Sequence, residues 1–276
     1  MKLLIRRAGL LIPAFIIAVA TPLGTTSAAT VALEQEQEAV PPPAAGASAA
    51  ANPQAKVLTL EQRADVFMAR KRYEDAADYY LRALRESSSK SPALWNKLGI
   101  AFQEVGKFAT AGKAYNKAIH ADKSFAEAWN NLGTVYFMEK KYGKSLKYYQ
   151  RAIVLEGDVA PFHMNLGTSY YHLKRFDEAV QEYRLALGID PNVIKQQSAI
   201  GTVVHAAGTG ADFYFYMAKA FASVGNAEEA VRYLRRALED GFSDSKLIEK
   251  DPDFKKISQY PAFVELLRNP PVAIKD

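Results

Sequence analysis

Tyr80, Tyr115, Tyr149 and Tyr183 stand 35, 34 and 34 residues apart, and each is followed three residues later by an alanine: Ala83, Ala118, Ala152 and Ala186. Self-similarity at a fixed period of this length marks stacked helical hairpins, because one short hairpin cannot bury its apolar face alone and must share it with the next. The period constrains the fold more than any local propensity does.

With Pro92 as the first residue of one unit, Trp95, Leu98, Gly99, Phe102, Ala111, Tyr115 and Ala118 occupy positions 4, 7, 8, 11, 20, 24 and 27. The unit from Ala126 has Trp129, Leu132, Gly133, Tyr136, Ser145, Tyr149 and Ala152 at those places. The unit from Ala160 has His163, Leu166, Gly167, Tyr170, Ala179, Tyr183 and Ala186, then Pro191 at position 32. A weaker copy from Val57 keeps Ala64, Phe67, Ala76, Tyr80 and Ala83 but has Arg63 in place of leucine. Another from Ala211 keeps Tyr214, Met217, Ala218, Phe221, Ala230 and Ala237, with Leu234 in place of tyrosine. Positions 4, 7, 8 and 11 form one stripe of a first helix, and 20, 24 and 27 one stripe of a second. Small residues at 8, 20 and 27 let the paired helices approach to about 8–10 Å. The rings at 4, 11 and 24 are expected to fill the space between neighbouring units, with turns around Gly106-Lys107, Lys140-Lys141, Lys174-Arg175 and Gly225-Asn226.

The pattern resembles the tetratricopeptide repeat family, with three strong and two degenerate copies over residues 57–240. The resemblance implies an all-α fold: a right-handed α-solenoid of about five helix hairpins, near 57–91, 92–125, 126–159, 160–192 and 211–244, with an inner groove lined by the first helices. The units from Ala160 and Ala211 are 51 residues apart, so 17 extra residues intervene near 193–210. There, β-branched Ile200, Thr202, Val203 and Val204 among Gly201, Gly208 and Gly210 read as a long loop or short hairpin. Residues 241–276 read as a helical cap over the exposed edge of the last unit, which a solenoid requires.

Lys2, Arg6 and Arg7 precede an apolar run from Ala8 to Ala20 that Thr21-Pro22 ends, followed by the small residues Thr26-Ser27-Ala28-Ala29. This reads as a cleaved export signal over 1–29, since a membrane-spanning helix needs about 20 apolar residues. The net charge of +5 falls to +2 once those three cations leave, so basicity gives no argument for a nucleic-acid partner. With no cysteine, the exported chain has neither disulfides nor a thiol for acylation. Residues 30–56, rich in Ala, Pro, Glu and Gln, offer too little apolar surface to fold and read as a disordered linker. A periplasmic or secreted protein is expected.

Enzyme constellations are missing from the sequence. No two of His120, His163, His172 and His205 are four residues apart, and no cysteine completes a zinc site. His163 fills position 4 and reads as a packed imidazole. Gly143-Lys144-Ser145 lacks the first glycine of a phosphate-binding loop, where Met138 stands. No serine has glycines two residues to either side, as a nucleophile elbow needs. A binding protein without catalysis, cofactor or metal is expected.

Positions 2, 5, 6, 9 and 12 of the first helices share the face opposite the second helices. They supply the candidate peptide-binding groove: Asn96, Lys97, Asn130, Asn131, Thr134, Phe137, Asn165, Thr168, Tyr171 and Lys219. Asparagine offers donor and acceptor together and so suits the backbone of an extended peptide. Asn131 and Asn165 match the inner asparagine ladder of O-linked N-acetylglucosamine transferase, a member of the family; Lys97 and Gln62 depart from it. An alternative use of these asparagines is helix-to-helix hydrogen bonding. The family's clamp for a terminal carboxylate is missing its cationic pair, because Asn96 with Ile100 and Pro161 with Asn165 flank Asn131. The expected partner is a protein or extended peptide, with peripheral association to the cell envelope. A second reading makes the chain an envelope-surface binder of glycan or anionic lipid, through Phe137, Tyr171, Phe213, Tyr214, Phe215 and Tyr216 and the lysines Lys140, Lys141, Lys144 and Lys147.

Overall fold

Five of the described helices start on a side-chain cap. Thr59 accepts from the Gln62 backbone N–H while the Gln62 side chain accepts from the Thr59 N–H, a reciprocal cap. Ser91 accepts from Leu94 N–H with Pro92 in the first turn, and Asn226, Asp244 and Asp251 cap later helices in the same way. The computed structural model describes residues 58–87, 91–195 and 210–274, all within Lys56–Asp276, the second of the two units into which the chain divides. The expected export signal over 1–29, the linker over 30–56 and most of the insertion near 193–210 lie outside the described residues.

Among the described residues five antiparallel hairpins follow one another. They pair α1 (Leu60–Ala69) with α2 (Tyr73–Glu86), α3 (Pro92–Glu104) with α4 (Phe108–Ala121), α5 (Ala126–Met138) with α6 (Tyr142–Leu155), α7 (Ala160–His172) with α8 (Phe176–Ile189), and α9 (Ala211–Ser223) with α10 (Ala227–Glu239). Each helix packs on its partner and on the next in chain order, which makes an α-solenoid. Three short helices close it: α11 (Ser245–Lys250), α12 (Pro252–Lys255) and α13 (Pro261–Arg268).

The turn inside every hairpin is the same. Position 15 takes a left-handed backbone, as glycine at Gly106 and Gly225 and as lysine at Lys71, Lys140 and Lys174. The next residue's N–H then donates back to the carbonyl of position 11, as Arg72 does to Phe67, Lys141 to Tyr136 and Asn226 to Phe221. This bond satisfies a carbonyl that the helix end leaves open.

Close approach within a hairpin rests on position 8. A Cβ on Gly99 would stand 2.4 Å from Tyr115, and on Gly133 or Gly167 2.8 Å from Tyr149 or Tyr183. The position-24 tyrosines therefore lie against the glycine of their own hairpin, where the sequence suggested rings filling the space between units. Their hydroxyls also stay within the hairpin: Tyr80 donates to Asp65, Tyr149 to Thr134 and Tyr183 to Thr168. Ala118 and Ala152 are fully buried, as position 27 requires.

The cap is part of the last hairpin's core. Phe215 of α9 stacks on Phe242 with ring centres 4.1 Å apart, and Ile248, Phe254, Ile257, Phe263 and Leu266 complete the cluster. Lys219 of α9 meets Asp251, the cap of α12, at 2.8 Å with both side chains largely buried. Lys195, in the first residues of the insertion, pairs with Glu229 of α10 at 2.9 Å.

Candidate functional site

The side chains at positions 5 and 6 of the first helices join consecutive repeats. Lys97 of α3 donates to Glu61 and Asp65 of α1 at 2.9 Å. Asn131 of α5 donates to Asn96 Oδ1 of α3 at 3.0 Å, and Asn165 of α7 to Asn130 Oδ1 of α5 at 2.9 Å. Asn130 in turn donates to Asn131 at 3.2 Å, so the amides form one connected ladder. Asn130 and Asn165 are fully buried, and Asn131 and Asn96 nearly so. These asparagines do not present open amides to a groove. First helices of adjacent repeats touch along this line, and a polar atom enclosed there must find its partner within the protein.

The remaining candidates divide by depth. Thr134 and Thr168 are buried; each hydroxyl donates to the carbonyl four residues back and accepts from the tyrosine of its own hairpin. Phe137 is buried against Tyr142 and His172. Lys219 is committed to Asp251 of the cap. Lys97, Tyr171 and Lys219 alone among the ten stay partly open to solvent. Of the rings named for glycan or lipid, Phe137, Phe213 and Phe215 are buried, and Lys141 is paired with Glu139.

A strip of half-buried rings runs past Tyr171. Tyr142 stacks on His172 with centres 4.5 Å apart, His172 meets Tyr171 edge-on at 5.5 Å, and Phe176 stacks on Tyr216 at 4.4 Å, with Tyr171 beside both. Burial raises the hydroxyl pKa of Tyr171 and of Tyr216, and the charge of Asp212 adds to both shifts. Asp177 acts on Tyr216 as well, so the strip is bordered by acids. Tyr142 and Phe176 belong to an aromatic series at position 17 with Tyr73 and Phe108, yet neither they nor His172 at position 13 stood among the candidate site residues.

His163 takes the place that tryptophan fills in the two preceding hairpins. Its Nδ1 lies 2.7 Å from Glu182 Oε2 and its Nε2 3.0 Å from the Gly157 carbonyl, so both nitrogens face acceptors. Burial opposes the imidazolium, but the Glu182 hydrogen bond, the Gly157 carbonyl and the Glu182 charge outweigh it and raise the pKa. Among the described residues no three His, Asp or Glu side chains gather as a metal site would need, and no helix is long and apolar enough to cross a membrane.

Models of the tetratricopeptide repeat match residues 43–92, 126–158 and 160–193. Among solved structures, a crystal structure of MamA is 24% identical over 64% of this chain and 93% of that one, with a TM-score of 0.46. A MamA chain from Desulfovibrio magneticus RS-1 is 16% identical over 65% of this chain and 92% of that one, with a TM-score of 0.48. PilF of Pseudomonas aeruginosa is 18% identical over 76% of this chain and 89% of that one, also with a TM-score of 0.48. Among curated proteins none matches.

Proposed function

This chain belongs to the tetratricopeptide repeat family, and from that premise we propose that it is a non-catalytic, exported scaffold. Repeats of this family generally bind proteins or peptides, and its scaffold members are in general non-catalytic. In this reading the face of the first helices holds an extended segment of a protein partner during assembly or trafficking at the cell envelope.

The observation that carries the reading is the ring strip. Tyr142, Tyr171, His172, Phe176 and Tyr216 are each half-buried and hold one another in place, so they offer apolar contact at little further entropy cost. Asp177 and Asp212 beside them favour a partner segment with apolar side chains and a nearby cation. The buried asparagine ladder keeps consecutive first helices in register beneath this surface and contributes to binding only through that register.

Export to a periplasm or extracellular space rests on the basic head, apolar run and small residues of 1–29. Mass spectrometry of the mature protein should find its N-terminus near Ala29 or Thr30; an intact Met1 end in the membrane fraction would make the segment an anchor. For the binding surface, peptides selected from a displayed library against the full chain should lose about 1–3 kcal/mol of affinity on Y171A and on Y216A. Selected peptides that bind both variants as tightly as the parent would remove the ring strip from the site.

A further inference from the structure

The second helices α4 and α6 contain no Asp or Glu. Positions 22 and 26 are Lys113 and Lys117 in the second hairpin and Lys147 and Arg151 in the third, so these four cations share one face of neighbouring repeats. All four are exposed, and among the described residues none makes an ion pair. Elsewhere the same positions are Asp78 and Arg82, Gln181 and Leu185, and Arg232 and Arg236. The last two are held by Glu229 and Asp240. Arg82 shares α2 with Glu74, Asp75, Asp78 and Glu86, so only the second and third hairpins set two unpaired cations at these positions on second helices without an acid.

Both tryptophans of the chain lie in those two hairpins, each at position 4. Trp95, with Lys117 and His120, lines an open depression of about 480 Å³; Trp129, with Lys144, Lys147 and Tyr148, lines one of about 650 Å³. No acid lines either. The cations are held over rings: Lys117 Nζ stands 4.2 Å from the centre of Trp95, Lys144 Nζ 4.0 Å from that of Tyr136, and the Arg151 guanidinium 5.8 Å from Trp129. Such placement fixes part of the side-chain freedom that binding an anion would otherwise remove.

We propose that this face is a second interaction surface, built for an acidic protein segment in which carboxylates alternate with apolar side chains. A segment of this composition can set carboxylates against Lys113, Lys117, Lys147 and Arg151 while apolar side chains seat in the depressions beside the indoles. A polysaccharide or single-stranded nucleic acid would need open ring faces to stack on, and here cations occupy them. A lipid surface would need protruding rings, and both indoles are half-buried. The surface shares no residue with the ring strip, so a scaffold could hold two partner segments at once.

Because the chain has only these two tryptophans, indole emission reports the surface without a label. A short synthetic peptide alternating Glu and Leu is titrated into the full chain, beside its Gln-for-Glu analogue, a galacturonate oligomer and an oligothymidylate. The Glu–Leu peptide should give a saturable change that weakens with salt and falls about tenfold or more in affinity on K117E/K147E, while Y171A leaves it unchanged. Circular dichroism should show that the double variant keeps its helices. The proposal is overturned if the peptide gives no saturable change, if the Gln analogue binds as well, if K117E/K147E binds the peptide undiminished, or if either other polyanion binds equally or more tightly.

Discussion

Asn131 in α5 donates its side-chain amide to Asn96 Oδ1 in α3 at 3.0 Å, and one repeat later Asn165 in α7 repeats the contact to Asn130 Oδ1 in α5 at 2.9 Å. Lys97 makes the charged version of the same link to Glu61 one repeat earlier. The link ends at the fifth hairpin, where position 6 is Tyr216 and position 5 of the preceding hairpin is Met164. Position 6 of one hairpin and position 5 of the one before it thus act as a register lock along the first helices.

N131A should therefore destabilise the solenoid by about 1–3 kcal/mol, since it withdraws a donor from an enclosed acceptor and an acceptor from Asn130. The double variant N96A/N131A should cost less than the sum of the two single changes, because contacting partners are not additive. Urea unfolding of the four proteins measures this. Strict additivity would show that the ladder carries no coupling.

G133A should cost about 1–3 kcal/mol, because the added methyl would meet the Tyr149 ring at 2.8 Å and that ring is fully enclosed. G188A, in a helix with nothing within 4 Å of its Cβ, should instead stabilise by about 0.5–1 kcal/mol. The opposite signs of two identical substitutions test the packing, and melting temperatures that shift in the same direction would contradict it.

The hairpins were legible because their period is physical. The repeat origins Pro92, Ala126, Ala160 and Ala211 are the first residues of α3, α5, α7 and α9, and the position-8 glycines lie where close approach demands them. Two features were legible only in part. Asparagine at positions 5 and 6 admits both an open groove and helix-to-helix hydrogen bonding when one helix is considered alone, and only stacking shows that the next first helix covers it. Tyr142 and Phe176 recur at position 17 with Tyr73 and Phe108, but the period does not show that two of these rings meet His172 and Tyr216 of neighbouring first helices.

Position 15 offers a gain in stability. Lys71, Lys140 and Lys174 hold φ near 60°, where a Cβ crowds the backbone, and none of the three makes an ion pair among the described residues. Gly106 and Gly225 show that glycine serves the same turn. Each of K71G, K140G and K174G should stabilise by about 1 kcal/mol, the strain relieved exceeding the added freedom of the unfolded chain. Urea midpoints that fall in all three variants would refute the strain argument.

The His163–Glu182 contact makes stability depend on pH in a definite direction. Both imidazole nitrogens face acceptors, which only the charged ring can satisfy together, so its pKa lies above the unfolded value of about 6.5. By linkage, the folded state binds this proton more tightly than the unfolded state does. The stabilisation is complete below the unfolded pKa and is lost as pH rises from about 6.5 through the raised folded value. Urea unfolding across that window should show stability falling with rising pH in the parent, with a shallower slope in H163Q, whose neutral side chain does not titrate. Nuclear magnetic resonance of the four histidines should place His163 above the ordinary imidazole value. An equal slope in H163Q, or a His163 titration at or below the ordinary value, would mean that Glu182 does not hold an imidazolium.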